Sequence, residues 1–237
     1  MLVNLSCFCY ILRMDLTQAK SIQRRRKLAL PKIRKGLLGV VFIVLLLLII
    51  ALPLTFFSVI DSNYSAKIFN LKSVPEARIA LVFVLGSDIS GQKQMLDDSL
   101  TTAAELYKQG KVQKLVVNYD QNSGVNDIEL KNLIYQKGVR DFDYQLNLVE
   151  DDAYAACYLA KERFGVQSAI AVTQEINIIR DIYTCNAIGI DTRGVISDRS
   201  LYQDQDSLPV QVSKLFSSFW KIYITEPDLP IGDKINF

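Results

Sequence analysis

An uninterrupted apolar stretch stands near the start of this chain, and apolar runs separated by turn residues fill the rest. No charged residue occurs between Lys35 and Asp61, and the centre reads Val40-Val41-Phe42-Ile43-Val44-Leu45-Leu46-Leu47-Leu48-Ile49-Ile50. About 20 apolar residues cross the hydrocarbon core as a helix, each adding ~1.5 Å of rise. Residues 36–60 are therefore predicted to span a membrane. A buried helix of a soluble core would carry a polar side. A cleaved signal peptide would have a shorter apolar core, about 7–15 residues, followed by a small-residue cleavage site. This stretch ends instead in Phe56-Phe57-Ser58-Val59-Ile60, so a retained anchor is expected, with Pro53 near its far end where a kink is tolerated.

Beyond a polar linker, 61–77, strand and helix patterns alternate. Ile79–Leu85, Val112–Asn118, Gln145–Val149, Ser168–Thr173 and Thr192–Ile196 read as buried strands. Leu96–Gln109, Asn126–Lys137, Asp151–Phe164 and Ile178–Ile188 read as the helices between them, several closed by a glycine: Gly110, Gly138 and Gly189. A last amphipathic helix, Pro209–Ile224, carries Phe216, Phe219, Trp220 and Tyr223. Alternation of this kind predicts an α/β domain over 78–237, a Rossmann-like parallel sheet of about five strands with helices on both faces. No glycine fingerprint for a dinucleotide accompanies it.

Charge orients the span. Arg13, Lys20, Arg24, Arg25, Arg26, Lys27, Lys32, Arg34 and Lys35 precede it, while only Lys67 and Lys72 follow closely. Cations stay on the cytoplasmic side, which makes 1–35 a cytoplasmic basic tail and places the α/β domain outside the cytoplasm. The tail is a topology signal or also contacts anionic headgroups. Met1 or Met14 serves as the start. The 237 residues contain no histidine, which excludes Ser-His-Asp catalysis and histidine metal sites. Cysteines stand at 7, 9, 157 and 185, a spacing that makes no zinc pattern. Cys7 and Cys9 belong to the reduced tail. Cys157 and Cys185 fall on predicted helices, either as two separate buried thiols or as an oxidised pair.

In parallel sheets, ligands bind beyond the carboxyl ends of the strands, near the switch in strand order. That rule selects Gly86, Ser87 and Asp88 after the first predicted strand, then Asn118 and Asp120 after the second. Glu150 and Asp151 follow the third strand. Thr173, Gln174, Glu175 and Asn177 follow the fourth, with Arg180 one turn on. Amides at that helix start, with Arg180, suit an anionic group, while helix capping and loop polarity account for the same residues without any ligand. No metal site, cofactor or catalytic residue follows from them.

The chain also resembles the cell-envelope family that includes SanA, ElyC and YdcF, over roughly residues 75–232. The residues that carry the resemblance are Val84-Leu85-Gly86, Ala103 through Leu106-Tyr107 to Gly110-Lys111, Gly138-Val139, Val172-Thr173-Gln174, Arg180, Gly189-Ile190, and Glu226-Pro227 leading to Gly232. Several family positions differ: Asp97 and Ser99 stand where arginine is usual, Asn177 where histidine is, and Asn118-Tyr119 where Ser-Gly is. Asn126 and Ala153 replace a glutamate and a threonine. The resemblance implies an envelope role in peptidoglycan or lipid-carrier homeostasis and barrier function. It also implies a degenerate site for an anionic or phosphate-bearing envelope ligand, with the bilayer as the other partner. The alternative is a non-catalytic anchored interaction module on the same scaffold. Nucleic acid is excluded as a partner by topology and by the lack of a basic, aromatic-rich outer surface.

Overall fold

The computed structural model describes residues 35–84, 92–120, 125–149, 152–197, 208–225 and 229–235. Its strands are β1 (Ile68–Phe69), β2 (Ile79–Val84), β3 (Lys114–Tyr119), β4 (Tyr144–Leu148), β5 (Ser168–Thr173) and β6 (Asp191–Ile196). They form one sheet in the order β1-β6-β5-β2-β3-β4, and every pairing is parallel. β2 is buried at every position, as expected of a continuous apolar run covered on both faces. The expected α/β architecture is present, with a sixth strand at the edge. That strand lies in the segment read as a polar linker: Ile68 and Phe69 pair with Gly194 and Val195. Two residues are too few to show a period in sequence.

Helices are α1 (Lys35–Tyr64), α2 (Gln92–Lys108), α3 (Asp127–Gln136), α4 (Ala153–Glu162), α5 (Glu175–Ile188) and α6 (Leu208–Trp220), which continues as a π-helical turn, Lys221–Thr225. Asn126 caps α3 by accepting from the Glu129 amide at 2.8 Å, and Asp152 caps α4 by accepting from the Tyr154 amide at 3.0 Å. α5 ends at Gly189, whose φ of 99° only glycine adopts without strain, and whose N–H satisfies the Asn186 and Cys185 carbonyls.

The side chains alternate between two cores. Ala80, Val82 and Val84 of β2 face a cluster built with Leu96, Leu100, Ala103 and Leu106 of α2 and Leu130 and Ile134 of α3. Ile79, Leu81 and Phe83 face the opposite cluster, built with Ala156, Cys157 and Ala160 of α4 and Cys185 of α5. Cys157 and Cys185 are disulfide-bonded, with Cα atoms 5.1 Å apart. The reading of two separate thiols is thereby corrected. Consecutive helices that cover one sheet face bring positions distant in sequence together, and spacing alone does not report which residue faces its neighbour. Gly194 of β6 exists because α5 packs tightly here: a Cβ would come within 2.5 Å of Ile182 Cδ1 and 2.6 Å of Ile178 Cδ1.

The chain divides into two units, one ending at Leu52 and one beginning at Pro53. In the first, Val40–Leu52 of α1 are exposed apolar residues on a helix long and apolar enough to cross a membrane. In the second, the last turns of α1 contribute Phe56, Phe57, Ile60 and Tyr64 to a third cluster with Tyr154, Tyr183, Leu215 and Ile222. Burial pushes the Tyr183 phenol above its ordinary value, and charge and hydrogen-bond contacts with Tyr223 add to the shift.

Candidate functional site

The middle of the sheet is β2, with β3 on one side and β5 on the other, so the order reverses between β2 and β5. The crevice rule therefore points to the carboxyl ends of these three strands. Gly86, Ser87 and Asp88, expected after β2, and Glu150 and Asp151, expected after β4, lie outside the described residues. Asp120, Thr173 and Gln174 are described, and all three are buried at that edge.

Gln174 is the N-cap residue of α5, yet its side chain makes no capping bond. Instead its Nε2 donates to Ser99 Oγ at 3.1 Å, and Ser99 Oγ lies 3.1 Å from Ser197 Oγ. The Ser197 amide also donates to the Thr173 carbonyl at 2.9 Å. A buried polar knot thus ties α2, the end of β5 and the end of β6. Ser99 was legible only as a departure from a family pattern, and Ser197 carried no signal, because serines are common in loops. The knot needs three segments that are far apart in sequence.

A second polar row lies in the sheet itself. Asn118 and Asn147 are register partners on β3 and β4, and both are fully buried. Asn147 Nδ2 donates to Asn118 Oδ1 at 2.7 Å, and Asn118 Nδ2 donates to the Val82 carbonyl at 3.3 Å. Thr173 ends β5. Among the described residues, its buried Oγ1 has no hydrogen-bond partner, and neither has Asn147 Oδ1. Unsatisfied buried polar atoms are uncommon and destabilising, by about 1–3 kcal/mol each. Asn147 was missed in sequence. An amide inside an apolar strand, one level with Asn118, was the available signal.

Arg180 does not join these groups. Its Nε donates to Asp181 Oδ1 at 3.0 Å, and both residues are buried. Arg180 lines a cavity of about 200 Å³ together with Phe57 and Asp61 of α1, Glu175, Ile179 and Leu215. The carboxylates of Asp61 and Glu175 line the same cavity as the guanidinium that Asp181 holds. Asn177, half-buried, has its amide on the Gln174 carbonyl at 3.0 Å, one turn inside a helix that begins earlier than its sequence pattern indicated. The predicted set is therefore split: Asp120, Thr173 and Gln174 at the sheet edge, Arg180 in a separate cavity.

Comparison of the chain with protein-family models, with curated proteins and with solved structures returned no match. Chemistry must be judged from the residues. Among the described residues, no group of three or more cysteine, aspartate or glutamate side chains is placed to hold a metal ion.

Among the described residues, a perturbed carboxylate lies at the opposite, amino-terminal edge of the sheet. Asp143, just before β4, accepts from Tyr107 Oη at 2.6 Å and Arg140 Nε at 2.7 Å. Burial alone would raise its pKa, but the two hydrogen bonds and the Arg140 charge outweigh burial and hold it below the ordinary carboxylate value. Its carbonyl accepts from the Leu115 amide at 2.8 Å. This trio fastens β4 and α2 and stands away from the crevice, so it reads as structural.

Proposed function

We propose that this chain is a single-pass membrane-anchored protein of the cell envelope, with its basic tail in the cytoplasm and its α/β domain outside. The observation that carries the reading is the Cys157–Cys185 disulfide in the domain that follows the span. Disulfides form and persist in oxidising compartments and are rare in the cytosol. The excess of cations before α1 supports the same orientation. The resemblance to the SanA, ElyC and YdcF family supports an envelope role in peptidoglycan or lipid-carrier homeostasis. On this reading the ligand edge is formed by Asp120, Thr173 and Gln174, with Gly86, Ser87 and Asp88 expected beside them.

A reporter enzyme that folds only outside the cytoplasm, fused after Phe237, tests this. Activity is expected, together with thiols at 157 and 185 that react with a maleimide only after reduction. A fusion active only with a cytoplasmic reporter, or free thiols in the native chain, overturns the orientation.

A second reading, a non-catalytic interaction module, is favoured by one observation. Gln174, Ser99 and Ser197 satisfy one another instead of presenting open donors and acceptors. With histidine absent from the chain, no side chain has an unperturbed pKa suited to proton transfer near neutral pH. Binding without turnover is the activity these residues support best.

A further inference from the structure

From the packing of α6 we infer that its aromatic face lies in the outer headgroup region of the bilayer, as a second membrane contact in addition to the anchor. The inference rests on reading α1 as a membrane span. About 20 residues counted from Gly36 bring the hydrocarbon boundary to Thr55, so Phe56 stands at the level where lipid headgroups begin. Phe56 meets Phe219 of α6 edge to face, with centroids 5.1 Å apart. From Phe219 the rings continue outward, to Phe216 at 6.0 Å and Tyr223 at 5.0 Å, and from Phe216 to Trp220 at 6.4 Å. Phe56 follows Leu52 by only four residues, so chain length alone keeps the α6 rings that pack on it within reach of the headgroup region.

The far side of this ring chain is uncovered. Phe216 is 44%, Trp220 48% and Tyr223 53% exposed, and Ile224 beside them is 56% exposed. Helical spacing of three and four sets Phe216, Trp220 and Tyr223 on one side, opposite the buried Leu215, Ser218 and Ile222. Leu208–Thr225 contains no carboxylate, and its only charges are Lys214 and Lys221. Lys221 is turned to Asp152 at 2.8 Å. An uncharged arc of Trp, Tyr and Phe at the depth of the interface is the composition that settles among headgroups, where an apolar ring body and a polar tip are both solvated. A protein partner would leave unexplained why the arc packs on Phe56, the residue that directly follows the hydrocarbon boundary.

Trp220 is the chain's single tryptophan, so its emission reports this face alone. The full chain is reconstituted into phosphatidylcholine vesicles, with flotation reporting the anchor and Trp220 emission reporting α6. The expected result is flotation with a blue-shifted emission. Most of that emission should be lost to lipids brominated near the headgroup, less to lipids brominated near the chain end, and little to aqueous acrylamide. Phe216→Glu should shift the emission to the red and restore acrylamide quenching while flotation persists. Ser213→Glu, on the same exposed arc but with no ring packing to lose, should do the same if Phe216→Glu fails to fold. Flotation with Trp220 open to acrylamide and untouched by bromolipid overturns the inference and leaves the anchor standing. Shielding from both quenchers that grows with protein density overturns it in favour of a second copy on this face. Failure to float overturns the anchor and the inference together.

Discussion

Cys157 of α4 and Cys185 of α5 are bonded across the face of the sheet, 28 residues apart in sequence. The bond joins two helices that already share a core, so its main effect is on the unfolded chain. Closing a loop of this length restricts the denatured ensemble by about 3–4 kcal/mol in the chain-entropy account. Cys157→Ala with Cys185→Ala is therefore expected to lower domain stability by about 2–4 kcal/mol. The guanidinium midpoint of the detergent-solubilised chain measures it, and reduction of the wild type should reproduce the shift. An unchanged midpoint would mean that the bond is absent in solution.

Asp143 predicts the acid limb of stability. Its folded pKa lies below the unfolded value, so its contribution is complete above that unfolded value. The contribution is lost as pH falls through the folded pKa. Tyr107→Phe removes one hydrogen bond to this carboxylate and should cost about 1–3 kcal/mol near neutral pH. Urea midpoints measured from pH 6 down to about pH 2 should converge for wild type and Tyr107→Phe. A constant gap between them would contradict the linkage.

Tyr119 supplies the alkaline counterpart. Burial, followed by a hydrogen bond to Asp127 and the charge of that carboxylate, raises its phenol to about 12. A raised folded pKa gives stability that is present below the unfolded value near 10 and is lost as pH rises towards about 12. Tyr119→Phe should weaken the domain at neutral pH and flatten its decline above pH 10. Absorbance titration at 295 nm should show one fewer late-ionising tyrosine. If the alkaline decline is unchanged in the variant, Tyr119 is not its source.

The large-scale order of the fold was open to sequence reading because it rests on local signals. The anchor shows as an uncharged run, β2 and β5 as apolar blocks, and α5 as a helix closed by Gly189. What sequence could not supply depends on contacts between distant segments. β1 is two residues long and is defined only by pairing with β6. Arg180 and Gln174 are less than two helical turns apart and looked like one site. Arg180 faces Asp181 and a cavity shared with α1, whereas Gln174 reaches across to α2.

Thr173 tests the sheet edge directly. Among the described residues Thr173 Oγ1 has no hydrogen-bond partner, and a buried hydroxyl left so is a cost to stability, so exchanging it for an isosteric methyl should help folding. Thr173→Val is expected to be neutral or to stabilise the domain by about 1 kcal/mol. A loss of stability of that size would show that Oγ1 is satisfied in solution. A gain in stability, coupled to loss of binding once a ligand is found, would mark the hydroxyl as kept for function.

The boundary between anchor and domain gives the last prediction. The linker expected to begin at residue 61 would leave the last turns of α1 dispensable, but they are part of the third core cluster. Ile60 is buried there, and Phe56 and Phe57 are half-buried beside Tyr183 and Leu215. Cutting at Asp61 uncovers those partners, whereas cutting at Pro53 keeps them covered and coincides with the start of the second compact unit. Full burial of one large aliphatic side chain contributes about 1.5–3 kcal/mol, and two half-buried phenylalanines add a comparable amount. A fragment of residues 61–237 is therefore expected to be less stable than one of residues 53–237 by about 2–5 kcal/mol. Urea unfolding of the two fragments, followed by far-ultraviolet circular dichroism, makes the comparison. Equal midpoints would mean that α1 beyond Pro53 rests on the domain without holding it together.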